Sequence, residues 1–426
     1  MSKKNNISNE RITSFGGCDF AFDVLRKRKL FKFFESRLGE RHPRAEYSRA
    51  DGLTTLLYNQ LCGGIRTENI KDHAENLSCI PFFGEVMSPD TILNLYEEMS
   101  VSNQYFPKGK SKKKPEYENN EVNVNDKFNE LLIDACIVTG RLIPKDPVIL
   151  DFDCTHIETK VSDGRWWFDK KGQKAYCPAV ASINRLPVYI ENRNGDSNST
   201  FRIVDVIRNA IELLKQKGIS ISYVRIDAAG YNTKLVSLLN SLGVKFVIRA
   251  PSSRVNLQVE FVRNWNDTIL CKEQVKVGED IFYFGKKEEE TRIIIKEVTN
   301  RRTRANRYWG IITNDFDGEP RTLMNLYAQR GDSENLFRDL KEFGWKILPK
   351  RKFEHNTTYL YLTALNYILL RFLTRLYSTK FKKFSEFMLL KTFRDKFLIA
   401  SARWVNGVLR FEGRFKKMFL TLSRVP

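Results

Sequence analysis

The sequence predicts an α/β fold: a mixed core of five strands and two helices, interrupted by a β-rich insertion and flanked by helical regions. Three observations carry that expectation. From Pro147 onward, apolar runs of strand length alternate with segments of helical periodicity. Residues 251–316 show strand patterns and no convincing helix. Residues 1–104 instead carry helix start and stop signals.

In the N-terminal region, 49–62 and 68–77 have helical periodicity. Ser88-Pro89-Asp90-Thr91 supplies a Ser cap and a Pro at the first helical position, ahead of Ile92, Leu93, Leu95 and Met99. Short basic helices of this kind suit a DNA-binding domain or a plain helical scaffold. Residues 105–130 read as a charged linker, because Pro107-Lys108-Gly109-Lys110-Ser111-Lys112-Lys113-Lys114-Pro115 runs into Glu- and Asn-rich sequence. A catalytic domain is expected over 131–377. In it 148–153, 176–183 and 186–192 are strands, the last two joined at Asn184-Arg185. A helix over 200–217 stops at Gly218; 221–227 is a strand, 234–242 a helix ending at Gly243, and 244–249 a fifth strand. That is the element order of a ribonuclease-H-like core. In the insertion, 259–262, 281–284, 291–295 and 308–312 read as strands. Helical pattern returns at 322–343 and 359–377, and 378–426 reads as helical and basic.

The formal net charge is +20, from 71 Lys plus Arg against 51 Asp plus Glu. An excess of that size points to a polyanionic partner, nucleic acid first. The seven cysteines are scattered with no C-x-x-C pair, which argues against a disulfide framework and a zinc site. None of the four histidines pairs at ligand spacing, so carboxylates would have to hold any metal, selecting Mg2+ or Mn2+. Met1-Ser2-Lys3-Lys4-Asn5-Asn6 lacks the apolar core of a signal peptide. The most apolar run, 359–370, is shorter than a bilayer span and is followed by Arg371. The expected location is the cytoplasm, with no membrane partner.

Two strands end in acidic residues. In Val148-Ile149-Leu150-Asp151-Phe152-Asp153-Cys154-Thr155, alternation puts Asp151 and Asp153 on one face and Val148, Leu150 and Phe152 on the other. Paired carboxylates on an apolar strand need a positive partner, and a divalent cation would serve. The plain alternative has one Asp capping a turn and the other solvated. In Tyr223-Val224-Arg225-Ile226-Asp227-Ala228-Ala229-Gly230-Tyr231, Asp227 ends an apolar strand, where open α/β sheets bind ligands. Asp is also a common turn former there.

A third feature lies on the helix expected over 322–343. Tyr327, Arg330, Glu334 and Lys341 fall within an arc of about 60°. Leu336, Phe337 and Leu340 form the neighbouring packed stripe. Glu334 could complete a metal site, and Arg330 and Lys341 could hold DNA phosphates. The competing reading is a solvated face with an Arg330–Glu334 pair.

The spacing Tyr-x2-Arg-x3-Glu-x6-Lys, met at all four positions, resembles the signature of bacterial insertion-sequence DDE transposases, in a DDE group 1-like branch. Leu150-Asp151-Phe152-Asp153-Cys154-Thr155 is similar to that family's first acidic motif and Arg225-Ile226-Asp227-Ala228-Ala229-Gly230-Tyr231 to its second. The C-terminal sequence from Ala402-Arg403 to Leu422-Ser423 also resembles one branch. Two departures stand beside these matches: Ala175-Tyr176-Cys177-Pro178 replaces a Gly and a His before the Pro, and Gly195-Asp196 replaces a Gly-Asn.

The resemblance implies a ribonuclease-H-like catalytic core with a β insertion. It implies a metal-binding catalytic triad of Asp153, Asp227 and Glu334; the family's Asp-x-Ser/Thr pattern favours Asp153 over Asp151. Two Mg2+ or Mn2+ ions would activate the attacking oxygen and stabilise the leaving one. Tyr327, Arg330 and Lys341 would contact DNA. Trp265 and Trp309 are either core or stacking partners for a flipped base. The implied activity is cut-and-paste transposition at terminal inverted repeats, followed by strand transfer into target DNA. The enzyme would act as a homodimer in the synaptic complex and associate with the nucleoid. A metal nuclease of the same fold and a catalytically silent DNA-binding derivative are the competing readings, and loss of a triad residue would favour the second.

Overall fold

The computed structural model describes residues 11–78, 80, 86–108, 117–160, 163–167, 170, 172–270, 273–285, 289–299, 306–406, 408–411 and 413–423. The chain forms two compact units: Met1–Ser102, Val161–Asp163 and Asp339–Pro426 make one, Asn103–Lys160 and Gly164–Arg338 the other. The first begins with β1 (Arg11–Thr13), α1 (Gly16–Lys27), α2 (Leu30–Leu38), α3 (Arg49–Cys62), α4 (Ile70–Ser78) and α5 (Pro89–Glu98). The second holds β2 (Gln104–Pro107), β3 (Asn119–Asn123), α6 (Asp126–Val138), β4 (Pro147–Cys154), β5 (Ile157–Glu158), β6 (Arg165–Trp166), β7 (Lys174–Tyr176), β8 (Ala179–Ile183) and β9 (Leu186–Arg193). It continues through α7 (Ile203–Gln216), β10 (Ser220–Ile226), α8 (Thr233–Ser241), β11 (Lys245–Arg249), α9 (Ser252–Gln258), β12 (Trp265–Leu270), β13 (Glu273–Phe284), β14 (Glu289–Thr299), β15 (Asn306–Thr313), α10 (Pro320–Ala328) and α11 (Gly331–Leu340). The chain then returns to the first unit with α12 (Phe353–Lys380), α13 (Leu390–Phe393), β16 (Ala402–Val405), β17 (Val408–Phe411) and α14 (Gly413–Ser423).

The second unit is organised by one large mixed sheet, ordered β12-β13-β14-β15-β11-β10-β4-β8-β9-β3-β2. Its centre, β9-β8-β4-β10-β11, has β4, β10 and β11 parallel and β8 and β9 antiparallel. This is the ribonuclease-H-like order that the sequence predicts. The turn between β8 and β9 falls at Asn184 and Arg185, both at positive φ (50° and 62°), which matches the twist of a tight hairpin. β12–β15 continue the same sheet, because β15 pairs antiparallel with β11. α10 covers that extension, setting Leu323, Met324 and Tyr327 against Val247, Val277, Ile294 and Ile311.

Four expectations need correction. Part of the presumed linker is sheet: β3 pairs with β9, β2 pairs with β3, and α6 follows at once, while 109–116 lie outside the described residues. Polar Asn119-Asn120-Glu121 hid β3, which lies near the sheet edge. In the insertion, 252–258 is a helix and 259–261 a 3-10 turn, not a strand. Seven residues are too few to show a helical period. The C-terminal stretch contains a hairpin, β16–β17, that pairs with β1. Finally, the single helix over 322–343 is two, broken at Gln329 and Arg330. The amide of Arg330 donates to the Tyr327 carbonyl at 2.9 Å, and that of Ser333 to the Arg330 carbonyl at 2.9 Å. Tyr327 and Glu334 therefore belong to different helices. Lys341 begins a π-helical turn, Lys341–Trp345, in the first unit.

In the first unit α12 is almost wholly buried and packs on α3 and α5. Asn366 ties it to α3, donating to the Leu53 carbonyl at 3.2 Å and to Gln60 Oε1 at 2.9 Å. Arg371 pairs with Asp339 in the same core. No helix among the described residues is long and apolar enough to cross a membrane.

Candidate active site

β4 and β10 run in parallel with Asp151 opposite Arg225 and Phe152 opposite Ile226. One step further, Asp153 and Asp227 stand side by side at the carboxyl ends of the two strands. Each carboxylate is tethered by one oxygen to the backbone: Asp153 Oδ1 accepts the Cys154 amide at 2.8 Å, and Asp227 Oδ1 accepts the Ala229 amide at 2.9 Å. Each Oδ2 turns toward one guanidinium nitrogen. Arg330 Nη2 lies 2.8 Å from Asp153 Oδ2 and 3.6 Å from Asp227 Oδ2. A positive group thus already sits between the paired carboxylates. The break between α10 and α11 is what sends Arg330 there, so the Arg330–Glu334 helix pair does not form.

Burial pushes the Asp153 carboxyl up to about 6; Arg330 opposes the shift, and the charges of Asp227 and Glu334 add to it. Glu334 is exposed on α11 and feels the same field. Burial alone would lower the Arg330 guanidinium, but Asp153 and Asp227 hold it above its ordinary value. Its Nε is buried without a hydrogen-bond partner among the described residues. Arg330 is therefore paired on one side and unsatisfied on the other.

The second acidic residue of the first motif is engaged elsewhere. Asp151 takes a fork from Arg225, Nε to Oδ1 at 2.5 Å and Nη2 to Oδ2 at 2.8 Å, with both side chains 5% exposed. Arg225 Nη1 also donates to the Leu326 carbonyl at 2.6 Å, tying the end of α10 to the strands. Asp151 shares a face with Asp153, as alternation requires, but both its oxygens are occupied.

Arg330 and Glu334 open onto a cleft of about 500 Å³, lined also by Arg249, Lys296, Trp309 and Tyr327. Tyr327 is nearly buried and meets Trp309 edge-on, ring centroids 5.1 Å apart. Burial holds its phenol above the ordinary value, so it remains a neutral hydrogen-bond donor. Arg249 lies over the Trp309 ring at 5.1 Å. Trp265 instead packs near Tyr308, at 6.0 Å. The sequence reading missed Arg225, Arg249 and Lys296. Arg225 carried a signal: Arg225-x-Asp227 repeats the offset of Asp151-x-Asp153 on the neighbouring parallel strand.

Oxygen donors of this kind fit a hard divalent cation. The two Oδ2 atoms converge on one position, held here by Arg330 Nη2, which a bound ion would have to displace. Among the described residues, no three acidic, His or Cys side chains yet lie close enough to hold one ion.

Comparison with known proteins follows the same line. No curated protein matches the chain. A piggyBac transposase synaptic complex with hairpin DNA is similar with a TM-score of 0.42 and 11% identity, over 92% of this chain and 83% of that one. A Mos1 transposase paired-end complex with the left transposon end is similar with a TM-score of 0.19 and 16% identity, over 53% of this chain and 66% of that one. Those scores are too low to support any functional statement. A family model, Transposase DDE domain group 1, matches residues 6–412, nearly the whole chain, and the protein belongs to that family.

Proposed function

We propose that this transposase-family chain is an active bacterial insertion-sequence enzyme that cuts terminal inverted repeats and transfers the strands to target DNA. One observation carries the reading: Asp153 and Asp227 each spend one oxygen on the backbone and turn the other to a common cationic position. Asp151, by contrast, gives both oxygens to a single guanidinium. Asp153, Asp227 and Glu334 would hold Mg2+ or Mn2+, two ions in the full site, with Asp151 outside it. When bound, the metal supplies an activated water or 3′-hydroxyl and stabilises the leaving oxygen.

The chain's own residues do the rest. Arg330 neutralises the carboxylate pair, and it lines the cleft where a DNA phosphate would compete for its guanidinium. Arg249 and Lys296 extend positive charge along the wall. Trp309 offers a ring to an unstacked base and Tyr327 a hydroxyl beside it. Arg225 is a positioning residue, fixing α10 against the strands. Lys341 keeps its proposed role at a phosphate. The catalytic work falls to the ribonuclease-H-like sheet of the unit made by Asn103–Lys160 and Gly164–Arg338, so the span of 131–377 expected for it runs past that unit. A homodimer on paired ends, at the nucleoid, completes the proposal.

The test uses purified protein and duplexes carrying the DNA that flanks the gene. Mg2+- or Mn2+-dependent 3′-hydroxyl formation at inverted repeats, then joining to a second duplex, is expected. Cleavage without joining would reduce the protein to a nuclease, and no cleavage with either ion would overturn the proposal.

A further inference from the structure

Away from the catalytic residues, the first unit has a second basic feature. From Ile399 to Ser423 the sequence carries Arg403, Arg410, Arg414, Lys416 and Lys417 against a single acid, Glu412. The hairpin register sets Arg403 directly opposite Arg410. Both arginines line a groove of about 900 Å³ together with Lys416 and the aromatic rings of Phe20, Phe411 and Phe419. The rings form a rigid floor: Phe411 stacks on Phe419 at 3.8 Å, and Phe20 meets Phe419 edge-on at 5.0 Å. Arg410, Lys416 and Lys417 are exposed. β17 is the outer strand of its sheet, which leaves the groove open on that side.

We propose that this groove, built from β16, β17 and α14, is a second DNA site that grips the phosphate backbone of a duplex. The proposal rests on the reading of the chain as a DNA-processing enzyme and adds a surface that reading does not use. Cations spaced across a hairpin and one helix, over an apolar floor, suit successive phosphates. Binding of this kind is independent of sequence and falls steeply with salt.

The experiment measures binding of full-length protein to a random-sequence 40-base-pair duplex, without divalent metal, from low to moderate salt. Wild type is compared with Arg410→Glu/Lys416→Glu and with the milder Arg410→Ala/Lys416→Ala, each checked by thermal melting. The charge-reversal variant is expected to lose at least about tenfold in affinity. The slope of log affinity against log salt should fall by about two in the alanine variant, one for each phosphate contact. Unchanged affinity and slope in folded variants overturn the proposal. So does a loss of self-association, by light scattering, with DNA affinity intact, which would make the groove a contact between copies. Cleavage by wild type is assayed separately: weakened binding in the variants with no cleavage by wild type keeps the groove and rejects the catalytic reading. The reverse pattern does the opposite.

Discussion

Two Asp–Arg pairs share strand β4, two residues apart, and they differ in kind. Asp151 and Arg225 form a closed fork, both oxygens used and both side chains 5% exposed. Asp153 and Arg330 form an open pair: one carboxylate oxygen is tied to the backbone, and the arginine keeps an unsatisfied Nε. Burial still raises Asp153 to about 6 despite the cation beside it. The closed pair is saturated and holds β4, β10 and α10 together. The open pair is held under electrostatic tension beside a cleft. A buried carboxylate whose pKa stays raised beside a cation is a candidate for chemistry.

The largest expected effect lies on the open side. Asp227→Asn and Glu334→Gln should each lower single-turnover cleavage by at least about 10²–10³-fold, while gel-shift affinity for the ends stays within a few fold. EDTA should do the same to wild type. Near-normal cutting by either variant would remove that residue from the triad.

The closed side should answer in stability. Arg225→Ala leaves Asp151 buried and uncompensated, and calorimetry should show a loss of about 3–5 kcal/mol. A loss below about 1 kcal/mol would erase the contrast between the two pairs.

Next comes pH. Asp153 has a folded pKa of about 6 against an ordinary 3.8, so the folded state binds more protons between those values. Stability from this group is greatest below about pH 4 and declines as pH rises through about 6, by at most about 3 kcal/mol. Asp19, buried and raised to about 7, contributes with the same sign. Denaturant midpoints for wild type and Asp153→Asn across this range isolate the part due to Asp153; equal slopes would contradict its raised pKa. The Mg2+ concentration needed for cleavage should rise as pH drops below about 6, because the ion then competes with the proton on Asp153.

The smallest effect expected on folding is that of Arg330→Ala. It should shift stability by about 1 kcal/mol or less, because the pair is open, yet lower cleavage by about tenfold or more. Equal losses in both would make Arg330 structural.

Much of this was legible in the chain. Apolar runs gave the five core strands and their order, because burial on both faces of a parallel sheet leaves little choice of residue. Asp153 and Asp227 were visible as acidic ends of such runs. Periodicity could not show the break before Gly331, because Tyr327, Arg330 and Glu334 keep helical spacing across it. Nor could it separate Asp151 from Asp153, which alternate onto one face and differ only in what the neighbouring strand brings. The C-terminal hairpin did carry a signal, Asn406-Gly407 between apolar residues, that the basic composition obscured.

The most direct test of the account compares Asp153→Asn with Asp151→Asn in single-turnover cleavage of the flanking repeats with Mg2+, normalised to folded protein. The account predicts that Asp153→Asn is inactive and that Asp151→Asn, though less stable, cuts within about tenfold of wild type. An active Asp153→Asn beside a folded but inactive Asp151→Asn would contradict it.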